Sequence, residues 1–112
     1  MAENSVLQMV MLEEYARLLR LIDGIETELI DLPKGYISRK KIRNKESYYL
    51  QWRDGEKIRS KYISAERLEE VQEKVARRQS LEKSLRSHKH DKKRIEIALG
   101  ISFIQQNISQ IM

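Results

Sequence analysis

Eight side chains between positions 39 and 61 carry the chemistry this chain has to offer: Arg39, Lys40, Lys41, Tyr49, Arg53, Lys57, Arg59 and Lys61. Lysine and arginine neutralise phosphates and release counterions, and an exposed tyrosine stacks on a base or ribose. Gathered on one small sheet, these residues are candidate nucleic-acid contacts. The charge is local. Residues 34–63 hold ten basic and three acidic side chains, whereas residues 1–33 hold two and seven. Attraction for a polyanion therefore centres on the middle of the chain.

No catalytic or metal-binding pattern competes with that surface. The chain has no cysteine, which removes disulfides, thiolate ligands and a cysteine nucleophile. His88, His90 and Asp91 have metal-ligand side chains, but helical positions i and i+2 diverge and the neighbouring lysines repel a cation. Glu66, Glu69, Glu70 and Glu73 read as a solvated helix face with basic neighbours, not as a carboxylate site. Phosphate loops and nucleophile elbows are missing from the sequence. A non-catalytic protein is expected, with no cofactor, no metal and no small-molecule substrate. Val6–Leu12 is apolar, yet Glu3 precedes it and Glu13-Glu14 follow, unlike a secretory leader. Nowhere do about 18 apolar residues run together. The expectation is a cytoplasmic protein that avoids membranes.

The elements that position the basic residues follow from alternation. Residues 47–53 place Tyr48, Leu50 and Trp52 on one side and Tyr49, Gln51 and Arg53 on the other. Residues 57–63 alternate Ile58, Ser60 and Tyr62 against Lys57, Arg59 and Lys61. Loop length decides which sets share a face. A two-residue Asp54-Gly55 turn sets Trp52 opposite Lys57, whereas a three-residue loop with Gly55 at positive φ sets apolar beside apolar. The latter predicts a buried face of Tyr48, Leu50, Trp52, Ile58 and Tyr62. The outward face is then Tyr49, Arg53, Lys57, Arg59 and Lys61. A further strand over 36–43 joins through a turn near Asn44 and lies at an edge defended by Arg39, Lys40 and Lys41.

Within this stretch, Leu32-Pro33-Lys34-Gly35, Tyr48-Tyr49-Leu50, Gly55 and Ser60-Lys61-Tyr62-Ile63 lead into a charged helix from Ser64. These segments resemble an uncharacterised bacterial and archaeal domain family with a Tyr-Tyr-Leu/basic β-hairpin, over about residues 32–90. The resemblance implies an architecture and no activity. Many relatives carry closely spaced cysteines before the Tyr-Tyr strand, which implies a metal site in them. This chain has Ile42-Arg43-Asn44-Lys45 there and lacks such ligands.

Helical periodicity flanks the sheet. An amphipathic helix over about 5–30, capped by Asn4 or Ser5, aligns Met11, Tyr15, Leu18, Ile22, Ile25 and Leu29 at alternating spacings of four and three. Leu32-Pro33 ends it. A charged helix begins with Ser64 as N-cap and carries the pairs Glu70–Lys74, Glu73–Arg77 and Glu82–Arg86. The basic run from Arg77-Arg78 to Arg94 reads as mostly solvated. A break is expected near His88–Asp91. The last helix then aligns Ile97, Ile101, Ile104, Ile108 and Ile111. The two seams pack against each other in one chain or pair between chains, which leaves a protein partner or homodimer open.

The expected fold is α+β in a single domain over 1–112: helix 1–31, antiparallel sheet of two or three strands over 34–63, charged helix 64–90 and apolar-seam helix 91–112. The two C-terminal helices pack with the first. The expected function is nucleic-acid binding through the basic face of the hairpin. The alternative is a protein-interaction or assembly module, an inhibitor or accessory factor docking a protein or nucleoprotein. There the seam residues Met11, Tyr15, Leu18, Ile22, Ile97, Ile101, Ile104 and Ile108 mediate association.

Overall fold

The structure, a computed structural model, describes residues 5–112. The element order is α1 (Val6–Leu29), β1 (Tyr36–Ile42), β2 (Lys45–Asp54), β3 (Lys57–Ile63), α2 (Leu68–Leu99) and α3 (Ile101–Asn107), with a closing 3₁₀ turn, Ile108–Gln110. This is the α+β order that the periodicities predict, with a third strand present. Two compact units share the chain. One comprises the N-terminal part up to Glu28 with Lys83–Met112, and the other is Leu29–Glu82.

In the helical unit, α1 starts at a reciprocal cap. The Gln8 backbone N–H donates to Ser5 Oγ at 3.1 Å, and the Ser5 N–H donates to Gln8 Oε1 at 2.9 Å. Two donors left over at the helix start are thereby satisfied. Asn4, the other candidate cap, lies outside the described residues. The buried stripe of α1 is Leu12, Tyr15, Ala16, Leu18 and Ile22, so the predicted seam is shifted slightly towards Leu12, while Met11 is half-buried. Leu12 and Tyr15 pack with Ile104, and Ile95, Leu99, Phe103, Ile108 and Ile111 close around them. The C-terminal helices thus pack with the first.

Two expectations about the C-terminal half are corrected. No break occurs at His88–Asp91, because α2 runs unbroken to Leu99. That stretch contains neither glycine nor proline, and Lys89 pairs with Glu26 across the unit at 3.4 Å. The chain turns at Gly100 instead, with φ 85° and ψ 140°. The second correction follows from that turn. A seam drawn straight through residue 100 does not stay on one face, so Ile97 and Ile101 are 76% and 53% exposed. Ile95 and Leu99 face the core before the turn, and Phe103 and Ile104 face it afterwards.

One polar cluster sits beside this core. The Tyr15 hydroxyl donates to Glu96 Oε2 at 2.7 Å, and Lys92 Nζ reaches the same oxygen at 3.1 Å. Burial, then the hydrogen bond to Glu96, pushes the Tyr15 hydroxyl up to about 12 from its ordinary 10.0. Hydrogen bonds from Tyr15 and then Lys92 hold the Glu96 carboxyl below its ordinary 4.5. A phenol raised in this way contributes its full stability below about pH 10 and loses it as pH rises towards about 12. The depressed carboxylate contributes at neutral pH and loses its share as pH falls through its lowered value. The alkaline part is on the order of 2 kcal/mol. Urea unfolding from pH 3 to 12 should therefore show a large stability gap between the parent and Tyr15→Phe at pH 7. That gap should narrow at both extremes, and a gap independent of pH would contradict the assignment.

In the unit Leu29–Glu82, the sheet is an antiparallel meander in the order β1-β2-β3. A short turn follows it, closed by Arg67 N–H donating to the Ser64 carbonyl at 3.0 Å. The regular helix then begins at Leu68, one turn later than a cap at Ser64 predicts. Within this unit Ile63, Val75 and Leu81 are buried. Arg78 is the second departure, because only 14% of its side chain is exposed where a solvated residue is expected. Its Nη1 donates to the Leu29 and Leu32 carbonyls, both at 2.8 Å. Its Nε donates to Glu82 Oε1 at 2.7 Å, which replaces the predicted Glu82–Arg86 pair, while Glu70–Lys74 forms at 2.9 Å.

Candidate nucleic-acid interface

Two tight turns decide what this sheet presents. Ile42 pairs with Lys45, leaving Arg43 and Asn44 as the two central residues, at φ 50° and 65°. Positive φ at both is the signature of a type I′ turn, whose twist matches that of the strands it joins. Asn44 is where the sequence places that turn. At the second hairpin Asp54 pairs with Lys57, and Gly55 takes the first central position at φ 64°. That is the glycine position of a type II′ turn. Gly55 supplies positive φ as predicted, but in a two-residue Gly55-Glu56 loop.

The loop length changes the faces. Trp52 lies opposite Arg59, Leu50 opposite Lys61, Tyr48 opposite Ile63 and Tyr49 opposite Tyr62. Residues directly opposed in an antiparallel pair point to the same side. Tyr48, Leu50 and Trp52 therefore share a face with Lys57, Arg59 and Lys61, while Ile58 and Tyr62 stand with Tyr49 and Arg53. The predicted all-apolar face does not exist. Ile58 is 64% and Tyr62 57% exposed, whereas Tyr48, Leu50 and Trp52 are half-buried.

The β1 register, with Ser38 opposite Tyr49 and Arg39 opposite Tyr48, completes the assignment. Of the eight candidate residues, Arg39, Lys41, Lys57, Arg59 and Lys61 fall on the tryptophan face. Lys40, Tyr49 and Arg53 fall on the tyrosine face, so the set is not one surface. The tryptophan face also bears Glu46 and Asp54, which engage two of its cations: Arg39 to Glu46 at 3.6 Å and Arg59 to Asp54 at 2.5 Å. Leu50 and Ile63 from this face line an open cavity of about 430 Å³ with Leu32, Pro33 and Val71, and Lys61, Arg67 and Lys74 join the lining. This side of the sheet is in part committed to folding.

The tyrosine face differs in kind. It carries Tyr36, Ser38, Lys40 and Ile42 from β1, Lys45, Ser47, Tyr49, Gln51 and Arg53 from β2, and Ile58, Ser60 and Tyr62 from β3. None of these is a carboxylate. Tyr49 and Tyr62 meet edge to face, with centroids 5.7 Å apart and planes at 68°. The Lys40 ammonium stands 4.9 Å from the Tyr49 centroid, a cation–π geometry. Tyr36 is 53% exposed.

Lys45, Tyr36 and Tyr62 are therefore the members of this surface that sequence reasoning leaves out. For Tyr62 the signal is the run from Asp54 to Lys57 with glycine second, which fits a two-residue II′ loop. Lys45 follows from carrying the alternation of β2 back from Tyr49, and Tyr36 from carrying that of β1 back from Lys40. Among the described residues no group of three or more His, Cys, Asp or Glu side chains is placed to hold a metal ion, and no helix is long and apolar enough to cross a membrane.

A family model for a domain of unknown function matches residues 8–73, from the first turn of α1 into α2. The match starts earlier and ends earlier than the resemblance read from the hairpin. No curated protein and no solved structure matches the chain.

Proposed function

The chain belongs to this family, Domain of unknown function (DUF6788), and on that premise, which supplies no activity, we propose a non-catalytic module that binds nucleic acid through the tyrosine face of its sheet. One observation carries the reading. The face bears Lys40, Lys45 and Arg53 with no carboxylate among its side chains. A phosphate approaching it meets cations without an acidic competitor, whereas Glu46 and Asp54 already engage two cations on the opposite face.

Fluorescence anisotropy with labelled nucleic acid at low and moderate salt tests the proposal. Lys40→Glu with Arg53→Glu should weaken binding by on the order of 30-fold and flatten its salt dependence. Lys57→Glu with Lys61→Glu alters net charge equally and should cost only a few-fold, through the general field. Equal losses from the two pairs would remove the tyrosine face as the contact surface. Binding that is absent, or indifferent to salt, would remove the function.

The second reading, an assembly module, is favoured by a separate observation. Val6, Leu7 and Val10 of α1 and Ile97 and Ile101 near the C-terminal turn are all more than half exposed. Solution mass measured on the same samples discriminates. A dimer broken by Ile97→Asp and Ile101→Asp, in a protein that binds no nucleic acid, would put assembly in place of binding.

A further inference from the structure

We infer that the strand bound on this face is single, with bases stacked on Tyr36 and Tyr62. The inference rests on the nucleic-acid reading above and names its ligand class. A duplex offers base edges in its grooves and phosphates along its backbones, while the faces of its bases are already stacked on one another. A single strand offers the faces themselves, and every base has one. The sheet exposes more than half of both Tyr36 and Tyr62, on its two outer strands and on one side.

Their placement suits a strand crossing the sheet. Tyr62 lies opposite Tyr49, and Tyr36 lies opposite Gln51, the next residue of β2 on the same face. Strand spacing and rise put the Tyr36 and Tyr62 backbones about 12 Å apart on a diagonal. Between them Tyr49 is already engaged, edge-on to Tyr62 and with Lys40 over its ring. Tyr49 thus orients Tyr62 and holds a cation beside the diagonal, within reach of the backbone linking two stacked bases. Arg53 extends the cationic track on β2. The floor between these groups is Ser38, Ser47, Gln51 and Ser60, short or uncharged side chains that let a base lie close. Nothing there fixes base identity, so binding should be tolerant of sequence.

The test compares a fluorescein-labelled thymidine 12-mer with a 12-base-pair duplex, using the full chain. The single strand should bind about tenfold or more tightly than the duplex. Tyr36→Ala and Tyr62→Ala should each weaken single-strand binding about tenfold and leave duplex binding within about twofold, while the phenylalanine variants retain the affinity of the parent. Circular dichroism of the alanine variants should match the parent. Tyr36→Ala should melt with it, and Tyr62→Ala, which loses the edge contact with Tyr49, should melt only slightly lower. A duplex bound as tightly as the single strand, or alanine variants that bind like the parent, would overturn this inference and leave the proposed function standing. Failure of either probe to bind at low salt would overturn both.

Discussion

Gly35→Ala should cost at least about 3 kcal/mol and detach the start of β1. Gly35 sits at φ 107° immediately before Tyr36, and a Cβ built there overlaps the Gln51 carbonyl oxygen and comes to 2.8 Å from its carbon. Those atoms belong to the backbone of the central strand, so no rotamer change relieves the clash, and the conformation itself penalises an L side chain. Trp52 Cβ, at 3.0 Å, closes the remaining direction. Gly55→Ala is the control. Its φ of 64° is also positive, but nothing stands within 4 Å of the added carbon, so the cost should be only about 1 kcal/mol. Urea unfolding ranks the two variants, and hydrogen exchange of Ile37 and Ser38 locates the damage. Equal costs would show that the close approach of Gly35 to β2 is wrong. Because Tyr36 follows directly, Gly35→Ala should also weaken single-strand binding as Tyr36→Ala does.

Arg78→Ala should cost about 2 to 3 kcal/mol. A helix ends with carbonyls that have no intrahelical donor, and Arg78 supplies two such bonds where α1 finishes, to Leu29 and Leu32. Removing the guanidinium takes the side-chain donor from both carbonyls, leaving Leu29 only the Leu32 N–H at 3.2 Å, and leaves Glu82 without its 2.7 Å partner. Lysine should recover less than half of the loss, because one ammonium on a flexible stem does not reproduce a planar fork. Arg86→Ala, at an exposed position of the same helix, should stay within about 0.5 kcal/mol of the parent. Thermal melts of the three variants suffice. An Arg78→Ala protein as stable as Arg86→Ala would mean that the two carbonyls do not depend on this side chain.

Much of this architecture was legible because it rests on strong local signals. Ser5 at a helix start, the Leu32-Pro33 stop and the paired alternations of β2 and β3 each state a backbone preference, and the α+β order follows from them. Two of the misreadings share one cause. Apolar matching favoured setting Trp52 beside Ile58, yet the turn that Gly55 forms sets Trp52 beside Arg59. A sheet only partly covered on either side pays little for mixing lysine stems with aromatic rings, so turn geometry outweighed pattern. The same bias drew the C-terminal seam straight through Gly100. Arg78 was illegible for a different reason. Its partners lie 49 and 46 residues away, and no local spacing announces a side chain folded back onto a distant helix end.

The two-residue loop between Asp54 and Lys57 has a consequence for reading related chains. A substitution alters a surface by one side chain, whereas inserting or deleting one loop residue turns the whole third strand over. Such a change here would exchange Ile58, Ser60 and Tyr62 for Lys57, Arg59 and Lys61 on the outer side, in one step and without altering any strand residue. Two members of the family with near-identical strands and loops differing by one residue would thus display opposite chemistries. Counting residues across that loop is then a sharper guide to which members share a ligand than percentage identity, and pairwise alignments that float a gap through it would hide the distinction.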